Sequence, residues 1–173
     1  LERVGEHITS HGHRLMQLAR PGPDHVAPID LNHTIRDITM MLKQAGKLGR
    51  VDSVVELGNE PLTVTVNRTR IEQILVNLVI NAVDAITGEG TVTVSARASE
   101  DGKRVVCEVR DTGSGIPAEA LQKIFEPFYT TKGERGTGLG LPVVRDIVET
   151  YGGTLTVKST PGTGSTFTFD LPR

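Results

Sequence analysis

The chain contains no tryptophan, two tyrosines, four phenylalanines and one cysteine in 173 residues. So few aromatics leave no stacking surface for single-stranded nucleic acid. A lone cysteine, Cys107, closes no intrachain disulfide, which fits a reducing compartment. Lysine and arginine (19) nearly balance aspartate and glutamate (21); the net charge of −2 argues against a general nucleic-acid or membrane-surface binder. No apolar run approaches the roughly 18 residues of a membrane span, and no signal-peptide pattern opens the sequence. There is no internal repeat and no low-complexity segment. Two nucleotide motifs are also missing. No G-x-x-x-x-G-K-[ST] occurs, which excludes a P-loop. Gly136, Gly138 and Gly140 read G-x-G-x-G, without the spacing or the preceding strand of a dinucleotide fingerprint.

What is present is one domain's length of chain with room for an appended element, and 19 glycines that crowd the stretch after residue 110. Residues 71–86 form a helix that is apolar almost all round. Ile71, Leu75, Leu78, Ala82 and Ala85 make one side, with Val76, Val79, Ile80, Val83 and Ile86 around it. Asn77, Asn81 and Asp84 fall within about 60° of one another as a narrow polar stripe. A helix this apolar is expected to be buried. Buried polar groups without partners would cost roughly 1–3 kcal/mol each, and a carboxylate more. Protein groups or a ligand must therefore sit against the stripe.

Around that helix the pattern alternates between helical and strand periods. Residues 1–20 read as helix, broken by Pro21-Gly22-Pro23. A second helix is expected from Leu31 to about Leu48, with Asp30 or Asn32 as cap. Short strands are expected near 52–57 and 62–66. Alternating apolar residues mark strands over Val92–Ala98, Val105–Val109, Leu155–Val157 and Phe167–Leu171, the first two joined across Asp101-Gly102. A helix fits 139–151. Four half-apolar strands need cover on one face, which the helices at 31–48, 68–87 and 139–151 can supply. The expected architecture is a two-layer α/β (α+β) sandwich with a mixed sheet.

Continuing the 105–109 alternation places Asp111 on the core face, followed by T-G-S-G-I. Two readings stand: a carboxylate accepting from a buried donor, or a strand end closed by bonds to local amides. The stretch F-E-P-F-Y-T-T-K-G-E-R-G-T-G-L-G-L-P (125–142) brings Lys132 and Arg135 just upstream of glycines that open a helix, with Pro142 in its first turn. Such a helix start can cradle phosphate, or the stretch can be a surface loop with solvated cations. Asn oxygens are neutral, hard ligands of the kind Mg²⁺ accepts beside phosphates. A nucleotide with Mg²⁺ would satisfy all three features together.

These boxes, N-L-V-I-N-A-V-D-A (77–85), D-T-G-S-G (111–115), F-E-P-F (125–128), G-T-G-L-G-L (136–141) and G-T-G-S-T-F (162–167), resemble those of bacterial two-component sensor histidine kinases, in order and spacing, over roughly residues 26–173. That family belongs to the superfamily of gyrase, Hsp90 and mismatch-repair ATPases, which shares the Bergerat fold. The resemblance implies ATP or ADP and Mg²⁺ as cofactors. It implies Asn81 as the metal ligand, Asn77 beside the phosphates, and Asp84 as a ligand contact or a structural partner. Asp111 would bind the adenine amino group, with Gly113, Gly115 and Ile116 shaping its pocket and Thr166 nearby. Residues 117–137 would be a mobile lid over ATP. Gly136, Thr137, Gly138, Leu139, Gly140 and Leu141 would line the phosphates, and Thr130, Thr131, Lys132 and Arg135 would approach them. Superfamily hydrolases carry a glutamate four residues before the metal-binding asparagine as general base; here that position is Asn77, which takes no proton from water. Asn77, Lys132 and Arg135 are then the catalytic candidates, acting by position and charge on transfer to a histidine.

The acceptor itself is missing. His7, His11, His13, His25 and His33 are none of them followed by Glu or Asp. Residues 1–22, ending L-A-R-P-G, resemble the end of the second dimerisation helix and a linker, with Arg14 and Arg20 as helix-end charges. Residues 23–173 are then the catalytic domain, and the abrupt start at Leu1 is expected of a kinase fragment. T-T-K and L-A-R-P…I-D-L-N resemble nitrogen-regulation-type kinases. The partners implied are the kinase's own dimerisation and histidine-phosphotransfer helices in a homodimer, and a response-regulator receiver domain. Neither nucleic acid nor direct membrane contact is implied, and the implied location is the cytoplasm, as part of a soluble or membrane-anchored sensor. Other classes to weigh are a superfamily ATPase, an anti-sigma-type serine kinase and a non-catalytic docking module.

Overall fold

The structure, a computed structural model, describes residues 25–133 and 138–173. Its elements are β1 (Val26–Asp30), α1 (Leu31–Gln44), β2 (Asp52–Leu57), β3 (Thr63–Asn67), α2 (Arg68–Ala85), β4 (Thr91–Ala98), β5 (Arg104–Asp111), α3 (Ala118–Leu121), α4 (Gly140–Thr150), β6 (Thr154–Thr160) and β7 (Gly164–Pro172). Five strands form one sheet in the order β2-β4-β5-β7-β6, with β2 parallel to β4 and the other pairs antiparallel. One face carries the core. Val94 pairs with Val109, Val109 with Phe167, and Phe167 with Val157, so that apolar side chains run in rows across the strands. Ile35, Ile38 and Leu42 of α1, the apolar side of α2, and Val144, Ile147 and Val148 of α4 complete that core. Each fully buried aliphatic side chain contributes about 1.5–3 kcal/mol. This is the two-layer sandwich the alternation predicts.

Two details depart from the sequence reading. The expected strand at 62–66 leaves the main sheet and pairs with β1, a strand the sequence reading did not mark, in a separate antiparallel ribbon. Pro28 in the middle of V-A-P-I-D masks β1, because proline is tolerated only where no ladder donor is needed. Helix α1 stops at Gln44 rather than near Leu48. Gly46 takes φ +72°, and the N–H groups of Gly46 and Lys47 turn back to the carbonyls of Lys43 and Leu42.

Three helix ends are held by side chains. Asp30 Oδ1 accepts from Asn32 N at the start of α1 and from Leu62 N, tying helix and ribbon together. Asn67 Oδ1 caps α2 by accepting from Thr69 N at 2.9 Å and Arg70 N at 3.4 Å. At the other end of α2 the Arg50 guanidinium donates to the carbonyls of Val83 (2.9 Å) and Ile86 (2.8 Å). That satisfies acceptors a helix C-terminus leaves open and places positive charge where the helix dipole favours it.

Candidate functional site

Helix α2 buries Ile71, Ile74, Leu75, Leu78, Val79, Ala82 and Val83 and turns its polar stripe to the rim of the core. Asn77 and Asn81 are half-buried and Asp84 is exposed. The start of α4 lies over the two amides: a β-carbon on Gly140 would stand 3.6 Å from Asn77 Oδ1 and 4.0 Å from Asn81 Nδ2. A helix start offers N–H groups that lack intrahelical acceptors. The stripe also meets a cation. Lys132 Nζ donates to Asn81 Oδ1 at 3.0 Å and to Asp84 Oδ2 at 2.8 Å. Its own backbone N–H is fixed by Thr130 Oγ1 at 3.0 Å.

Asp111 stands at the end of β5, on the core face, and is 4% exposed. Its Oδ1 accepts from Gly113 N at 2.8 Å. Burial pushes its carboxyl above the usual carboxylate range, against the opposing pull of the Gly113 and Ser165 backbone N–H groups. Asp111 thus closes a local turn, as one of the two sequence readings has it, and does so from a buried position. The D-T-G-S-G turn is anchored on two sides. Ser114 N donates to the carbonyl of Ala85 at 2.9 Å, one residue beyond Asp84. Ile116 N donates to Ser159 Oγ at 2.7 Å, and Ser159 Oγ lies 2.8 Å from Ser165 Oγ. Gly115 takes φ +71° under the Thr160 carbonyl, which a β-carbon would strike.

The F-E-P-F segment closes onto α4. The Arg145 guanidinium lies 4.3 Å above the Phe125 ring. Phe128 N donates to the Gly138 carbonyl at 2.9 Å. Gly138, at φ +65°, packs so closely on the Phe128 backbone that a β-carbon there would collide with it. Among the described residues, three elements thus converge: a buried acceptor at Asp111, a stripe of neutral amides with a cation beside it, and a glycine-opened helix start. A ligand with a hydrogen-bond-donating ring at one end and anionic groups at the other matches that order.

Comparison with known proteins decides the family. The model of histidine kinase-, DNA gyrase B- and HSP90-like ATPases matches residues 66–173. The catalytic domain of histidine kinase ThkA superposes with a TM-score of 0.75 at 34% identity, over 86% of this chain and 97% of that one. The chain belongs to the histidine kinase catalytic domains.

Sensor histidine kinase ZraS of Klebsiella oxytoca is 40% identical over 158 residues, which are 91% of this chain and 34% of that protein. The chain thus spans about a third of that curated relative. ShkA, solved at full length with AMPPNP, shares 28% identity at a TM-score of 0.81 over 98% of this chain and 36% of that one. ThkA has also been solved in complex with the response regulator protein TrrA, at 28% identity and a TM-score of 0.75 over 99% of this chain and 47% of that one.

Within this histidine kinase domain the expected residues divide into three groups. Asn77, Asn81, Asp84, Lys132 and Gly140 come together. Asp111, Gly113, Gly115 and Ile116 form the second cluster, whose turn meets Ala85 at the C-terminal end of α2, while Thr130, Gly138, Leu139 and Leu141 are half-buried along the loop and helix start and Thr131 is exposed. Arg135, Gly136 and Thr137 lie outside the described residues, as do residues 1–24 with His7, His11 and His13. One expectation is corrected. Thr166 is not beside Asp111: it pairs with Arg110 on the opposite face of the sheet, and Ser165 stands across from Asp111. Ser165 is buried (4% exposed) and was missed, although the alternation that puts Phe167 and Phe169 inward puts Ser165 there too. Arg50 was also missed, because no local pattern links it to a helix end 33 residues away.

Among the described residues no three His, Cys, Asp or Glu side chains gather as a metal centre. The metal question therefore falls on the oxygens of the stripe. Asn81 Oδ1 and Asp84 Oδ2 already hold a cation, the Lys132 ammonium, and their oxygen chemistry fits Mg²⁺. No helix of the described residues is long and apolar enough to cross a membrane.

Proposed function

We propose that the chain binds Mg·ATP between Asp111 and the α2 stripe and transfers the γ-phosphoryl group to a histidine on a dimerisation helix. The observation that carries this reading is the meeting of the α4 start with two neutral amides, Asn77 and Asn81. Asp111 would accept from the adenine amino group, its burial making that bond selective. Asn81, with Asp84 beside it, would hold Mg²⁺, which neutralises phosphate charge when bound. Gly140 lets the backbone approach the phosphates, and Lys132 is a point charge within reach of them. Asn77 accepts no proton from water, so water is left unactivated and a neutral imidazole, already nucleophilic, is the favoured acceptor.

Residues 1–22 are proposed as the end of the second dimerisation helix and 23–173 as the catalytic domain, working as a cytoplasmic part of a homodimeric sensor. A response-regulator receiver domain is the proposed downstream partner, supported by the likeness to ThkA. The T-T-K segment supports a nitrogen-regulation-type affiliation.

Calorimetry with Mg·ADP tests the site: Asp111→Ala and Asn81→Ala should each weaken binding about tenfold or more, and unchanged affinity in both sinks the reading. Extending the chain with the upstream helix should yield acid-labile phosphate on histidine after incubation with ATP. Rapid steady hydrolysis by the present chain would instead favour an ATPase.

A further inference from the structure

Lys132 stands where the nucleotide reading needs a divalent cation. Its ammonium uses the same Asn81 Oδ1 that the metal would take, and Asp84 Oδ2 supplies the balancing charge. We propose that Lys132 is a resident substitute for Mg²⁺: held by Asn81 and Asp84 when no metal is bound, and displaced by the metal when it arrives. The inference rests on the reading of this stripe as a metal and phosphate site, and it gives Asp84 a role as the positioning residue for the lysine.

Three features support exchange rather than a permanent ion pair. Two cations cannot share one amide oxygen at contact distance without strong repulsion. The pair is open to solvent, with the Lys132 side chain 33% and the Asp84 side chain 43% exposed, so its hold is weak enough to break. The lysine also arrives from a loop whose adjoining segment is fastened to the start of α4 through Phe128 and Gly138, so release leaves its charge close to where phosphate would lie. Asp84 lies one helical turn from Asn81 on the same face, which lets one ammonium bridge both.

The consequence is a competition that can be measured without catalysis. In the nucleotide-free protein, Mn²⁺ is titrated while paramagnetic broadening of the Asn81 side-chain amide is followed by NMR. Lys132→Met should bind Mn²⁺ about two- to fivefold more tightly than wild type, the range expected for removing a solvent-open ion pair. In parallel, ATP binding in EDTA should weaken severalfold in Lys132→Met, because the substitute cation is gone. Equal Mn²⁺ affinity in wild type and Lys132→Met, or an EDTA arm insensitive to the substitution, overturns the proposal. If wild type binds no ATP with Mg²⁺ or in EDTA, the nucleotide reading fails instead. An amide NMR spectrum of Lys132→Met that matches wild type away from the stripe shows that the variant is folded.

Discussion

Asp111 and Asp170 stand toward opposite ends of the β5–β7 pair and on opposite faces of the sheet, and their surroundings differ in kind. Asp170 faces Arg104, whose Nε donates at 2.6 Å, and its other oxygen accepts from Thr154 N at 2.7 Å. The same arginine reaches the Gly152 carbonyl at 2.8 Å, so one ion pair locks the α4–β6 turn to the sheet. Burial alone would push the Asp170 carboxyl up; the Arg104 hydrogen bond and the Thr154 N–H outweigh it and hold the carboxyl below its ordinary range. Asp111 is more deeply buried and, among the described residues, makes no ion pair. Its carboxyl is held above its ordinary range. The scaffold end spends its charge on stability. The site end keeps a buried carboxylate that, among the described residues, has backbone N–H partners but no cation, so it stabilises the fold less than a paired one.

The largest effect should come from breaking the Asp111 end. Asp111→Ala removes a charged acceptor from a buried site and should cost about 1.5–3 kcal/mol of nucleotide binding, roughly a ten- to hundredfold loss. Its melting temperature should not fall in proportion, because the desolvation cost of a buried carboxylate leaves with it. Calorimetry and thermal unfolding on one preparation check both halves. A large drop in melting temperature with intact binding would reverse the assignment of roles.

Asp170→Ala is the mirror experiment. It strands Arg104 and should cost about 1–2 kcal/mol of stability, less than a fully buried pair because both side chains keep some water. Nucleotide affinity should stay within about twofold, since the turn it ties lies at the C-terminal end of α4, away from Gly140. A denaturant titration gives the first number and calorimetry the second.

The two carboxylates should also differ in the sign of their pH dependence. A carboxyl whose folded pKa is raised makes the folded state the better proton binder, so ionisation of Asp111 costs stability as pH rises through that value. The gap in melting temperature between Asp111→Asn and wild type should therefore widen in favour of the variant from acid toward neutral pH. Asp170 has a depressed folded pKa. Its contribution is present above the ordinary aspartate value of about 3.9 and is lost as pH falls through the folded one. The deficit of Asp170→Asn should thus shrink in acid. Parallel curves for the two variants would show that burial and pairing do not separate them.

Much of this contrast is legible in the sequence, and what is missing has a common cause. Alternation through Val105, Cys107 and Val109 delivers Asp111 to the core face, and helical spacing delivers Asn77, Asn81 and Asp84 to one stripe. Both are local periods. Arg50 bonding to Val83 and Ile86, Lys132 reaching Asn81, and β1 pairing with β3 join residues 33 to 51 positions apart or run through a proline, and no local period encodes them. The Cys107 thiol shows the opposite case: burial raises its pKa well above the ordinary range, so the chain's single thiol is inert packing, as its place in the alternation suggests.

The smallest effect separates two neighbours on one strand. Ser165 lies across from Asp111, its hydroxyl 2.8 Å from Ser159 Oγ, and Ser159 in turn holds the amide of Ile116. Removing the Ser165 hydroxyl loosens the wall of the Asp111 pocket without touching the carboxylate. Ser165→Ala should therefore weaken nucleotide binding by about two- to tenfold, the value of one neutral hydrogen bond. Thr166 faces the other side of the sheet beside Arg110 and Lys158, so Thr166→Ala should leave affinity within about twofold. A strand has period two, and a one-residue slip would exchange the two results. Calorimetry on the pair thus tests the register of β7 against β5 through the ligand. A loss confined to Thr166→Ala would mean that the residue facing the nucleotide was misassigned by one position.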